Sequence, residues 1–156
     1  MTARPVLAAT DGSPQSLAAV RWAAQEAVRR GAALRLVHVW PEPVGVYLEQ
    51  LRAEGAGLLA HVQEQAVGEN PELEVDTLLL GASPVDGLVQ AAADGQLLVL
   101  GSRGLGGFAG LLMGSVSLTV AGRSPIPVVV LRPGQQDPDE SPTTAQGDVV
   151  VGVSAG

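Results

Sequence analysis

The chain has no cysteine. Disulfides, thiolate nucleophiles and zinc–thiolate centres are excluded with it. It has no lysine either, because all nine basic residues are arginines. A Walker A loop needs Gly-Lys followed by Ser or Thr, so that phosphate loop is absent. Aromatics make up 3% of the residues while hydrophobic residues reach 46%. The excess comes from Ala, Val and Leu in short bursts, which is what buried parallel strands require. No apolar run approaches the ~18 residues of a membrane span, and no membrane role is expected. No basic segment precedes an apolar stretch, so no signal peptide is expected and cytoplasm is the expected compartment. Positive charge is scarce: the net charge is −7. Four acids (Asp137, Asp139, Glu140 and Asp148) lie in or beside the tail, and neither tail nor body offers a basic stripe. Nucleic acid is therefore not expected as a partner.

What the chain does have is glycine in one place. Leu97–Leu100 is a short apolar run, the mark of a strand covered on both faces. Gly101 stops it. Gly104, Gly106, Gly107, Gly110 and Gly114 follow, and Ser115, Val116 and Ser117 then open a helical pattern. A helix N-terminus leaves amides without partners at the positive end of its dipole. Glycines let the preceding backbone approach an anion closely. The stretch reads as a phosphate cradle; the competing reading is a turn that only joins strand to helix. A dinucleotide fingerprint fits poorly, since this strand is late and no acid follows about 20 residues on.

Gly101, two residues, Gly104, nine residues, then Gly114-Ser115 is the nucleotide-binding spacing of the universal stress protein family, and the chain resembles its ATP-binding branch. The resemblance covers residues 3–134.

The rest of the chain alternates strand and helix. Pro5–Thr10 reads as strand one, followed by the turn Asp11-Gly12-Ser13 and a helix from Pro14 to Gly31. Ala33–Trp40 is strand two, stopped by Pro41 and Pro43. Val44–Val67 is a helix weakened by Gly55 and Gly57 and ended by Gly68 and Pro71. Leu73–Leu80 is strand three. Ser83 and Asp86 mark the next helix start, and that helix runs to Gly95. Leu97 begins strand four, a helix from Ser115 ends near Gly122, and Pro127–Arg132 is strand five. Such alternation predicts a doubly wound α/β fold with a five-stranded parallel sheet. The expected order is 3-2-1-4-5, flavodoxin-like or adenine nucleotide alpha hydrolase-like. Ligands bind such sheets where the strand order reverses, here between strands one and four.

The expected organisation is one domain over 1–134, an acidic linker over 135–147 and an extra strand over 148–156. That strand has two readings. It resembles the opening strand of a second stress-protein domain, with Ser154 where the first copy has Asp11, or it is a tail that pairs with a sheet edge.

The resemblance implies an ATP-binding regulatory protein of the stress response, not an enzyme. Ala9, Thr10 and Asp11 would border the adenosine, with Asp11 accepting from the ribose hydroxyls. A turn or N-cap aspartate is the other reading of Asp11. Val39 matches the position whose backbone meets the adenine edge. Trp40 beside it either shields the base or is simply buried. Gly101, Arg103, Gly104, Gly114, Ser115, Val116 and Ser117 would hold the phosphates, and Leu100 before them counts among the nucleotide-binding residues. Arg103 is the one cation of the loop; it meets the phosphates or points to solvent. Mg²⁺ would ride on the phosphates. His38 reads as a packed core or edge histidine and His61 as a surface one. The glycine loop contains no base or water-positioning residue, so at most slow, incidental hydrolysis is expected. Strand five, short and apolar, is expected at a sheet edge, and the resemblance implies a homodimer or a pairing of tandem domains through it. The alternative is a stress protein that binds no nucleotide and acts through dimerisation.

Overall fold

The computed structural model describes residues 3–40, 48–102, 114–132 and 149–152. The elements run β1 (Val6–Ala9), α1 (Pro14–Arg30), β2 (Leu34–Trp40), α2 (Leu48–Glu69), β3 (Val75–Gly81), α3 (Pro84–Ala92), β4 (Leu97–Gly101), α4 (Ser115–Arg123), β5 (Val128–Leu131) and β6 (Val149–Gly152). The strands form one sheet in the order β3-β2-β1-β4-β5-β6. The first five pair in parallel, in the expected order 3-2-1-4-5.

Period-two alternation sorts the strand residues onto two faces. Val6, Ala8, Leu34, Leu36, Leu97, Val99, Val129 and Leu131 meet α1 and α2. Leu7, Ala9, Val37, Leu98, Leu100, Val128 and Val130 meet α3 and α4. Both faces are dry, which is why β1, β4 and β5 read as continuous apolar runs. α1 turns Ala19, Ala23, Ala24 and Ala27 onto the sheet, and these small side chains let the helix sit close to β1 and β4. Ser13 caps its start, and Gly31, in the left-handed conformation at φ 63°, ends it.

Some boundaries differ from the sequence reading. α2 runs unbroken through Gly55, Gly57 and Gly68. The buried Leu59, Val62 and Ala66 anchor it to the sheet, and tertiary packing outweighs the propensity cost of glycine. Gly55 itself is where β2 and β3 approach closely: a Cβ there would stand 2.8 Å from Leu79 Cδ1. The edge expectation for strand five is corrected. β6 lies antiparallel along it, from Leu131 opposite Val149 to Val128 opposite Gly152. An unpaired β5 rim would leave a row of free amides and carbonyls, and the β6 run Val149–Val151 supplies partners for them. The proline stop at residues 41–43, most of the glycine loop, the 135–147 linker and Ser154 lie outside the described residues.

Candidate functional site

The strand order reverses between β1 and β4, which pair from Val6 opposite Leu97 to Ala8 opposite Val99. After β1 the chain leaves for α1 on one face; after β4 it leaves for α4 on the other. Their carboxyl ends therefore flank a crevice.

The β1 side of this crevice is a tight, hydrogen-bonded turn. Gly12 takes φ 81°, which a side chain would strain. Gly12 N–H donates to Thr10 Oγ1 (3.2 Å), and Ser13 N–H donates to Asp11 Oδ1 (2.9 Å). Ser16 Oγ donates to the Ser13 carbonyl (2.9 Å) and accepts from Asp11 N–H (3.3 Å). It also lies 3.0 Å from Thr10 Oγ1. The turn reading of Asp11 is thus realised through one oxygen. Ala9 is buried in the core, so only its backbone reaches the crevice.

The β2 side follows from how the ladder stops. In a parallel strand alternate residues direct their N–H and C=O to the same neighbour. Val37 faces β1 and accepts from Thr10 N–H (2.9 Å). Val39, two residues on, directs its backbone to the same side, where β1 has ended. The carbonyl that would continue the ladder, that of Thr10, accepts instead from His38 Nδ1 (2.8 Å). A carbonyl cannot donate, so the imidazole proton is on Nδ1. Trp40 is 6% exposed, a core residue rather than a lid. A cavity of about 280 Å³ opens beside His38, Val39, Glu54 and Leu58, between the end of β2 and α2. A larger hollow of about 380 Å³, near Ala3, Gly31, Glu72 and Glu74, lies at the opposite, amino end of the strands. Of the expected site residues, Val39 lines the smaller one.

The β4 side is the start of α4. The hydroxyls of Ser13 and Ser83 cap α1 and α3. α4 begins at Gly114 with no side-chain cap. Gly114 N–H donates to the Ser102 carbonyl (2.8 Å), and the Gly114 carbonyl accepts from Leu118 N–H (3.1 Å). The amides of Ser115, Val116 and Ser117 thus have no acceptor inside the helix. Ser117 Oγ is already committed to the Gly101 carbonyl (3.0 Å), so its amide is the group left for an anion. Ser115 is exposed, Val116 half-buried and the Leu100 side chain wholly buried. Arg103 and Gly104 lie outside the described residues.

One residue here escaped the sequence reading. Ser102 is 0% exposed, and its hydroxyl has no partner among the described residues. A buried polar atom left this way calls for an explanation, such as an ion or ligand. Its signal was a hydroxyl directly after the strand-ending glycine, inside the first Gly-x-x-Gly. A hydroxyl and three helix-start amides without acceptors among the described residues fit a phosphate chemically. Among the described residues no group of three or more His, Asp or Glu could hold a metal, and no helix is long and apolar enough to cross a membrane.

Residues 2–132 match the model of the universal stress protein family. A universal stress protein of Mycolicibacterium smegmatis is 40% identical over 134 residues, covering 83% of this chain and 46% of that protein. One of Mycobacterium tuberculosis is 38% identical over 133 residues, covering 82% and 45%. The chain thus spans about half the length of the curated relatives it matches. A universal stress protein solved in complex with cAMP superposes with TM-score 0.69 at 29% identity, covering 85% of this chain and 99% of that one. One from Archaeoglobus fulgidus in complex with dAMP gives 0.67 at 26%, covering 83% and 98%.

Proposed function

The chain belongs to the universal stress protein family, and from that premise we propose that it is an ATP-binding regulatory protein of the stress response. The observation that carries this is the uncapped start of α4 at the reversal point of the sheet, where the amides of Ser115, Val116 and Ser117 have no acceptor among the described residues. Two solved relatives hold adenine nucleotides. In this reading the amides of Ser115, Val116 and Ser117 take phosphate oxygens, with Gly101 and Gly114 keeping side chains out of the way. Arg103 and Gly104 would complete the loop. Val39 offers its N–H and C=O to the adenine edge. Asp11 Oδ1 serves the turn, so a ribose hydroxyl would meet Oδ2. Mg²⁺ would be held by the phosphates, which supply the hard oxygens that such an ion prefers.

The protein would hold its nucleotide rather than turn it over, since residues 97–117 contain no Asp, Glu or His. Occupancy would shift the population of the site's conformations, and a partner or a second copy would read that shift. The tail's likeness to the opening strand, with the relatives' double length, supports residues 148–156 as the start of a second copy. Pairing of two copies through strand five also belongs to this reading, and it requires β6 to vacate that rim. The rival reading is an interaction protein that binds no nucleotide; the uncapped helix argues against it. Titration calorimetry with ATP, alongside mass spectrometry of denatured, freshly purified protein, tests the choice. Saturable ATP binding with co-purified adenine nucleotide is expected. Absence of both would establish the rival.

A further inference from the structure

Two buried polar atoms lack partners among the described residues: Ser102 Oγ and Arg132 Nε. They are not far apart in the fold. Leu100 and Val130 are register partners, and both face the α3–α4 layer. Gly101 and Leu131 come next, and Ser102 N–H donates to the Leu131 carbonyl (2.8 Å), so the ladder continues one step past both strands. Ser102 and Arg132 therefore stand side by side, on the face that α4 covers. The Ser102 carbonyl in turn holds Gly114, the residue at the head of α4.

We propose that Ser102 and Arg132 form a second anion-binding corner beside the start of α4, which grips the outer phosphates of a nucleoside polyphosphate and sets the preference for it over the monophosphate. The inference rests on the cradle reading above but adds Arg132, which lies outside that loop pattern, and Ser102, one of its unspecified positions. A guanidinium N–H and a hydroxyl, both shielded from water and both without a partner among the described residues, are costly to a fold unless something binds them. What they share is donation, and one of them is cationic. A phosphate oxygen accepts from both at once. Arginine suits the task because its donors are fixed in a planar fork. The α4 amides are neutral donors that serve any phosphate. Arg132 adds full charge, which matters most for the ligand with most charge.

The test is calorimetric binding of ATP, AMP and adenosine to the wild-type chain, Arg132→Met and Ser102→Ala. Arg132→Met is expected to weaken ATP by about 10- to 100-fold, the scale of one charge-assisted hydrogen bond. AMP should change less than about threefold and adenosine not at all. Ser102→Ala should cost ATP about three- to tenfold. The salt dependence of ATP binding should become shallower in Arg132→Met, which a merely structural role would not produce. Unchanged ATP affinity, or an equal loss for all three ligands, overturns the proposal. If Arg132→Met does not fold, Arg132→Lys, which keeps charge but loses the Nε donor, should show a weaker form of the same selective loss. If the wild-type chain binds neither ATP nor adenosine, the cradle reading has failed. Tripolyphosphate then decides the corner alone: binding by wild type and loss in Arg132→Met supports it, and no binding ends it.

Discussion

His38 Nδ1 donates to the Thr10 carbonyl at 2.8 Å, at the point where the β1–β2 ladder stops. It answers the carbonyl that would continue the ladder, while the Val39 backbone faces the same side past the end of β1. Replacing His38 by Phe removes the donor. Either the carbonyl stays unanswered, at about 1–3 kcal/mol, or Val39 closes the rung and is lost to the ligand. The first route should lower stability alone; the second should lower adenosine affinity, by about five- to tenfold if one hydrogen bond is lost. His38→Gln, which keeps a donor, should retain most of it. Urea unfolding and adenosine titration check the pair.

The head of α4 gives the second expectation. Gly114→Asp would bring a carboxylate acceptor to the amides of Val116 and Ser117. It fills the anion site with its own charge. Nucleotide affinity should fall by about 100-fold, since charge-assisted bonds are lost and a like charge is added. Melting should shift by only a few degrees. ATP titration with a thermal melt distinguishes this from general unfolding.

A third concerns the support behind Val39. A Cβ on Gly87 of α3 would stand 2.7 and 2.9 Å from the two γ-carbons of Val39. Gly87→Ala gains up to about 1 kcal/mol of helix propensity. Overpacking costs about 1–3 kcal/mol, so the clash wins. Net destabilisation is expected by denaturant unfolding, together with weaker adenosine binding as Val39 is pushed.

Arg35 and Asp76 make the fourth. They form a two-pronged cross-strand pair, Nε to Oδ1 at 2.8 Å and Nη2 to Oδ2 at 3.3 Å. The Asp76 hydrogen bond holds the Arg35 pKa above its ordinary value, against the opposing pull of burial, with the charges of Asp76 and Asp94 adding to it. A raised cation pKa gives stability that is present below the unfolded value and lost only above the folded one. For arginine both lie beyond working conditions, so Arg35 adds no pH step between about pH 5 and 9. The pair is partly exposed, with Asp76 at 47%. Asp76→Asn should therefore cost under about 1 kcal/mol, and less in high salt.

The last expectation concerns β6. Removing residues 148–156 uncovers β5, an apolar strand with a free rim. Light scattering should then show a larger fraction of paired chains than for the full chain. An unchanged mass would remove strand five as a pairing surface.

The five parallel strands and their order were legible in the chain because apolar bursts and turn residues alternate without ambiguity. The Gly101–Ser117 stretch placed the end of β4 and the start of α4 for the same local reason. Ser102 and Arg132 were not legible as a pair, since 30 positions of sequence separate them and only the β4–β5 register makes them neighbours. The place of β6 was likewise open, because an apolar strand does not name its partner.

The sequence by itself determined the period, the punctuation and the uncapped glycine at the head of α4, all of which are properties of adjacent residues. The tertiary structure alone decided which amides and carbonyls were left over. Those depend on where one strand stops beside another, as Thr10 does beside His38, and hydrogen bonds between strands are satisfied or orphaned only in three dimensions.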